Sequence, residues 1–398
     1  MRTLAVAFVV VALLALGGTE GLAQREQVRI GISLPLTGPA SASGKAAEAG
    51  YRLALDEINK AGGVLGRRLQ VFIEDDGNLP AKGVPIFTKF VTVDRVHAIT
   101  GIFGSAIGVS IVGPAKLHEP LIAMLGAASP LVERGFEGYK YLFHYHPWAY
   151  HNMEAVFNFM DFVRTGTGAS TIAILYEDGP FGSAGIGDTR AELIRRGFDV
   201  PFMESFKTGS GDFTALLTRA KRHPVDVLFW IGFDADALPI AVQSREVGFA
   251  PRLIFGSPAS WPVGFEGNPV ARDVSGMAGW TSASPLPASK EFVKKYQAKY
   301  GKLSEEYMAP MAFVTLTTLT AAMNKAGTTD RDRVAAELAK TDAETPVGRL
   351  RFKPSRLSPS VHQGFDSDLW MVFQFRDGRR VPVWPKHMAA GPLAWRWR

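Results

Sequence analysis

Paired carboxylates stand at Asp75-Asp76 and at Glu177-Asp178. Adjacent acids serve as general acid and base when their surroundings push the two pKa values apart. Both pairs run straight into Gly or Pro turns, where carboxylates more commonly cap the chain and remain solvated. His144, His146 and His151 supply imidazoles within a short stretch. His144 and His146 alternate on extended chain and so share a face, yet no cysteine or HxxxH companion accompanies them. The expectation is packing or hinge histidines and no metal site. The run Gly182-Ser183-Ala184-Gly185-Ile186-Gly187 has its glycines in the wrong order for a dinucleotide fingerprint, and the sequence holds neither a GxSxG elbow nor a Walker loop. No catalysis and no cofactor are expected.

The chain has 398 residues and no cysteine. That excludes a disulfide framework, a thiolate nucleophile, a Cys-based zinc site and a lipid attached through cysteine. An apolar fraction of 46% can bury large cores, and the length suits two domains. Met1-Arg2 precedes an apolar run from Leu4 to Leu16 and then small residues ending at Ala23. This is the pattern of a cleaved secretory signal over residues 1–23, and it falls short of the roughly 20 apolar residues that span a bilayer. A periplasmic location is expected. The net charge of +6 is scattered, without a long basic run or interleaved aromatics, which argues against nucleic acid as a partner.

Short β-branched runs alternate with helical patterns. Strands are read at 28–34, 69–73, 98–103 and 121–125, with helices at 44–60, 82–93 and 105–118 between them. A second series follows, with strands at 171–176, 200–206, 225–231 and 253–255 and helices at 152–163, 182–196, 213–221 and 237–247. Such alternation calls for parallel sheets with right-handed crossovers. The fold class is α/β, with two Rossmann-like doubly wound lobes in tandem. Helices at 290–300 and 308–325 and a lone strand at 369–375 are too few for a third lobe, so they return to complete the first two.

In open parallel sheets, ligands gather beyond the carboxyl ends of the strands. The turns at Thr37-Gly38-Pro39, Gly104-Ser105-Ala106, Gly126-Ala127-Ala128-Ser129-Pro130 and Gly179-Pro180-Phe181-Gly182 leave strands and are built of small residues that let a ligand approach the main chain. Each taken singly is also an ordinary turn or cap.

The sequence resembles the periplasmic solute-binding proteins of ABC importers of the leucine/isoleucine/valine-binding type. VRIGISLPLTGPASASG, AGYRLALDEINKAGGVLGRRLQVFIEDD, TGIFGSAIGVSIVGPAK, LGAASP, ILYEDGPFGSAG, VDVLFWIGFDADA and GFDSDLWMVFQF carry the resemblance. It implies the type I periplasmic binding protein fold, its lobes joined by a three-crossing hinge near 143–147, 275–282 and 350–364 and closing on ligand. The expected division is 24–145 plus 280–352 for the first lobe and 146–279 plus 353–380 for the second. Residues 381–398 form a C-terminal extension strapped across a lobe.

In that family a serine after the third strand and an Ala-Thr turn hold the ligand carboxylate. Ser105 matches the first position, and Ala127 and Ala128 the second, where Ala128 replaces the usual threonine and Ser129 could supply the missing hydroxyl. The second lobe departs further. Phe181 stands at one tyrosine position that would hold an ammonium, Phe233 or Asp234 near the other, and Pro258 at the glutamate. Phe and Pro side chains offer a buried cation no acceptor, which leaves Asp234 as its one possible partner. Ser43 replaces a bulky tryptophan and would enlarge the pocket. The resemblance thus implies a small carboxylate ligand with an aromatic or hydrophobic body and no α-amino group, with a branched-chain amino acid as the alternative.

Tyr145, Trp148 and Tyr150, together with Phe143 and Trp261, could stack on such a ligand or pack the lobe junction. An ABC permease in the inner membrane is the implied partner, and the receptor is expected to be a monomer. A sensor docking on a membrane signalling protein uses the same fold, and the sequence leaves import and sensing open.

Overall fold

The computed structural model describes residues 27–258, 261–262, 264–301 and 307–397. The expected signal segment, 1–23, lies outside the described residues. In the first half, the β-branched runs fold as β1 (Val28–Leu34), β2 (Leu69–Asp75), β3 (Ala98–Gly101), β4 (Ile122–Met124) and β5 (Leu142–His144). Between them lie α1 (Ser41–Lys60), α2 (Pro80–Thr92), α3 (Ser105–Ser110), α4 (Val112–His118) and α5 (Pro130–Gly135). The single helix expected over 105–118 is two short helices, divided at Ile111.

The second half contributes α6 (Ala149–Thr167), β6 (Thr171–Glu177), α7 (Ile186–Arg195), β7 (Asp199–Phe206), α8 (Thr214–Ala220), β8 (Val227–Gly232), α9 (Asp234–Glu246), β9 (Leu253–Pro258) and β10 (Ser275–Ala278). Then come α10 (Pro287–Tyr300), α11 (Met308–Ala326), α12 (Arg331–Leu338) and the hairpin β11 (Asp342–Thr345) and β12 (Gly348–Arg351). The chain ends in β13 (Lys353–Pro354), β14 (His362–Gln363), β15 (Met371–Arg376) and β16 (Arg379–Trp384).

Two seven-stranded sheets result, ordered β13-β14-β5-β4-β3-β1-β2 and β16-β15-β10-β9-β8-β6-β7. β1 runs parallel to β2 and β3, and β6 parallel to β7 and β8, so each sheet reverses its winding beside its own first strand. Ligands bind at such switch points in doubly wound folds. Along β6, Ile172 and Ile174 enter one apolar cluster while Ala173 and Leu175 enter the other. That is the two-sided burial of a central parallel strand covered by helices on both faces. In the first lobe, α1 lies close against α11. A Cβ at Gly50 would stand 2.0 Å from the Ala309 carbonyl oxygen, so only glycine permits this helix approach.

The strand order requires the chain to pass between sheets after β5, after β10 and after β14. Two expected boundaries need correction. Lys353–Pro354 and His362–Gln363 belong to the first sheet rather than to the second lobe. Arg379–Trp384 is the antiparallel edge strand of the second sheet, so Val381 to Trp384 are not part of a free extension. Two-residue strands carry no periodicity from which a sequence could assign them. The strand expected over 369–375 returns to complete an earlier lobe as read, β15 pairing with β10 and β16 in the second sheet.

Candidate functional site

A cleft with about 410 Å³ of atom-free space, its open mouth included, lies between the strand ends of the two sheets. From the first lobe, the turn after β3 presents Phe103, Gly104 and Ser105, and the turn after β4 presents Gly126, Ala127 and Ala128. A Cβ at Gly104 would fall 1.6 Å from Asn78 Oδ1, so any larger residue there would displace the Asn78 side chain. Ile102 and Ala127 hold positive φ angles of 52° and 60°. Left-handed backbone in non-glycine residues stores strain and gathers at functional turns.

Ser105 is buried and starts α3. Its Oγ accepts the Ser129 N–H at 3.1 Å, which leaves the hydroxyl proton to be donated elsewhere. Ser129 is the N-cap of α5 and accepts the Leu131 N–H. It therefore supports the Ser105 turn and does not line the cleft itself.

From the second lobe come Phe181, Phe233, Asn152 and Ser257. The rings of Phe181 and Phe233 meet at 5.4 Å between centroids. Phe181 rides on a tight loop held by Glu177, whose carboxylate accepts N–H groups from Gly179 at 2.6 Å and Gly182 at 2.7 Å. Burial pushes the Glu177 carboxyl above its usual range, opposed by those hydrogen bonds. Asp236 anchors the other loop, accepting from Phe233 N–H, Thr208 Oγ1 and Gly209 N–H, and burial raises its carboxyl too.

Asp234, considered as the partner of an ammonium, accepts the Ala42 N–H of α1 at 3.0 Å across the interlobe gap. Beside it the Ala235 N–H donates to the Pro39 carbonyl at 3.2 Å. Asp234 thus caps the start of a first-lobe helix and does not line the cleft. Ser43, expected to enlarge the pocket, lies within α1 with full burial and is also absent from the cleft wall. Pro258 ends β9 in register with Gly232.

The aromatic residues at the crossing divide the same way. Tyr145 is buried against α11 with its hydroxyl on Thr318 Oγ1 at 2.7 Å. Trp148 stacks on His144 at 3.6 Å and donates Nε1–H to Ser355 at 2.7 Å. Tyr150 donates to Glu133, and Glu133 also accepts from Ser355 and from the Leu357 N–H. None of these three rings lines the cleft; they tie the first crossing to first-lobe elements, namely α11, α5 and the turn between β13 and β14. Phe143 stacks on His362, and Trp261 packs beyond the second sheet with Phe373 and Phe375.

His146, Tyr307 and Trp370 complete the cleft wall. His146 Nδ1 faces the Pro147 carbonyl at 2.7 Å, and a carbonyl can only accept, so Nδ1 carries the proton. Nε2 then accepts the Tyr307 hydroxyl at 2.9 Å. Burial pushes this imidazole down to about 4, and that of His144 to about 3, so both are neutral near pH 7. Among the described residues, no group of three or more His, Cys, Asp or Glu could hold a metal ion. No described helix is long and apolar enough to cross a membrane.

Sequence reasoning missed Phe103, His146, Asn152, Ser257, Tyr307 and Trp370 as cleft residues, His146 being expected as a packing or hinge histidine. Ser257 sits one residue before the end of β9, where the strand-end rule could have found it. Asn152, near the start of α6, and Tyr307, just before α11, fall in no motif, whereas Trp370 lies in GFDSDLWMVFQF after the third crossing without a pattern that aims it at the cleft.

Residues 27–372 match the family described as periplasmic binding protein. The chain is 26% identical over 336 residues to the leucine-, isoleucine-, valine-, threonine- and alanine-binding protein of Pseudomonas aeruginosa, covering 82% of this chain and 86% of that one. A leucine-binding protein from Thermotoga maritima superposes with a TM-score of 0.78 at 22% identity, over 89% of this chain and 97% of that one. An ABC-transporter solute-binding protein from R. palustris, solved with benzoate, gives a TM-score of 0.78 at 16% identity, over 92% and 97%. At those identities the two structures speak for the fold. Through the family match over most of its length, the chain belongs to the periplasmic binding protein family, in its type I, leucine/isoleucine/valine-binding branch.

Proposed function

We propose that this chain is the extracytoplasmic receptor of an ABC importer that closes its two lobes on a small carboxylate with an aromatic or hydrophobic body and no α-amino group. The observation that carries this reading is the composition of the cleft. The Ser105 hydroxyl and the Ala127–Ala128 main chain stand at one end, Phe181 and Phe233 stand at the other, and no Asp or Glu is among its described lining residues. A buried ammonium there would lack a countercharge, whereas an aromatic ring would gain burial and stacking. The benzoate complex of a fold neighbour is consistent with this reading. Export through residues 1–23 and docking on inner-membrane permease subunits belong to the same proposal.

The amino-acid specificity of the Pseudomonas relative favours a second reading, branched-chain amino-acid binding. Thermal-shift measurements separate the two. An aromatic carboxylate at a hundredfold excess over its Kd should stabilise the chain by about 2.7 kcal/mol. Selective stabilisation by leucine or valine would instead establish the second reading.

A further inference from the structure

Asn152 and Trp370 line the cleft, and they are only 5% and 6% exposed. Asn152 Oδ1 and Trp370 Nε1 are each buried with no hydrogen-bond partner. Burying an acceptor and a donor unpaired is costly, so both atoms call for a partner that comes and goes with the ligand. The other polar pair on this wall, His146 and Tyr307, is already engaged with itself.

We infer that the ligand carries a neutral hydroxyl on its ring, which donates to Asn152 Oδ1 and accepts from Trp370 Nε1–H. This rests on the reading of the ligand as an aromatic carboxylate. A hydroxyl is the small group that both donates and accepts. An ammonium would satisfy Asn152 and leave Trp370 unpaired, a carbonyl would do the reverse, and a second carboxylate would meet no cation on this wall. Both side chains border the one cleft that receives the ligand in this reading.

Calorimetric titration of the purified chain with benzoate and with 2-, 3- and 4-hydroxybenzoate tests this. At least one hydroxybenzoate should bind about a hundredfold more tightly than benzoate, roughly tenfold for each of the two hydrogen bonds. Asn152→Leu and Trp370→Phe should each remove about tenfold of that gain, so that hydroxybenzoate loses about tenfold more affinity than benzoate does. Should benzoate bind as tightly as all three isomers, or should the variants weaken benzoate and hydroxybenzoate alike, the inference falls while the aromatic-carboxylate reading stands. Binding of none of the four acids overturns both. If either variant fails to fold, the comparison of the four acids on the unmodified chain decides.

Discussion

The two ends of the cleft are built from different material. The first-lobe end is main chain and one hydroxyl, placed by strained turns after β3 and β4 at Ile102 and Ala127. The second-lobe end is two rings, an amide and Ser257, although acids lie close by. Glu177 and Asp236 spend their oxygens on the N–H groups of the very loops that present Phe181 and Phe233. Asp234 reaches across to Ala42. Counting carboxylates near a site therefore misleads, because here the acids shape the cleft and the residues they position decide what enters it.

The largest expected effect concerns His146, where the two ends meet. Its folded pKa of about 4 lies below the ordinary value of 6.5, so the unfolded chain binds more protons between those values. The resulting stability is fully present above pH 6.5 and is lost as pH falls toward 4, by roughly 3 kcal/mol for this one group. His144 and His151, also lowered, act in the same direction. Glu177 and Asp236, raised by burial, oppose it, losing stability as pH rises through their own range. Urea unfolding at pH 7 and 4.5 should show a net loss that His146→Gln reduces. A profile indifferent to that substitution would place the imidazole in solvent.

Next is the first-lobe anchor. Ser105→Ala removes a donor to a charged group, worth about 2 kcal/mol, and should weaken a carboxylate ligand roughly thirtyfold. The methyl ester of the same ligand, whose carbonyl still accepts but carries no charge, should lose less, and equal carboxylate affinities would remove Ser105 from the site. Smaller again is Phe181→Leu at the opposite end. Loss of ring stacking at about 1 kcal/mol should cost an aromatic ligand roughly fivefold and an aliphatic one little. An equal loss for both would reduce Phe181 to a steric wall.

The part of this division legible in sequence follows the strand-end turns. Ser105, Ala127, Ala128, Phe181 and Phe233 all sit within four residues of a strand or helix end, where periodicity and turn chemistry converge. The tandem lobes were equally readable, because long buried strands such as 227–232 carry an unbroken apolar run. Asn152 and Trp370 were not, since each reaches the cleft through a crossing whose path depends on tertiary packing. Tyr145, Trp148 and Tyr150 show the converse. Their aromatic clustering suggested stacking on a ligand, yet Thr318 and Ser355 come from far along the chain, and Glu133 from the preceding helix, to engage their polar atoms. Asp234 was chosen for its charge, and no local pattern indicates that a helix start nearly two hundred residues away would claim it.

Asp234 also provides the finest test of how the two ends communicate. Its carboxylate accepts the Ala42 N–H of a first-lobe helix and lies outside the cleft lining, so under the proposed function it favours the closed form without touching the ligand. A carboxylate at a helix N-terminus contributes about 0.7 kcal/mol, and Asp234→Ala should weaken every ligand by the same factor of about three. Scattering from the ligand-free variant should show a wider molecule than the unmodified chain. A loss confined to cationic ligands would mean instead that Asp234 faces the ligand directly, and the amine-free reading of the second-lobe end would have to be given up.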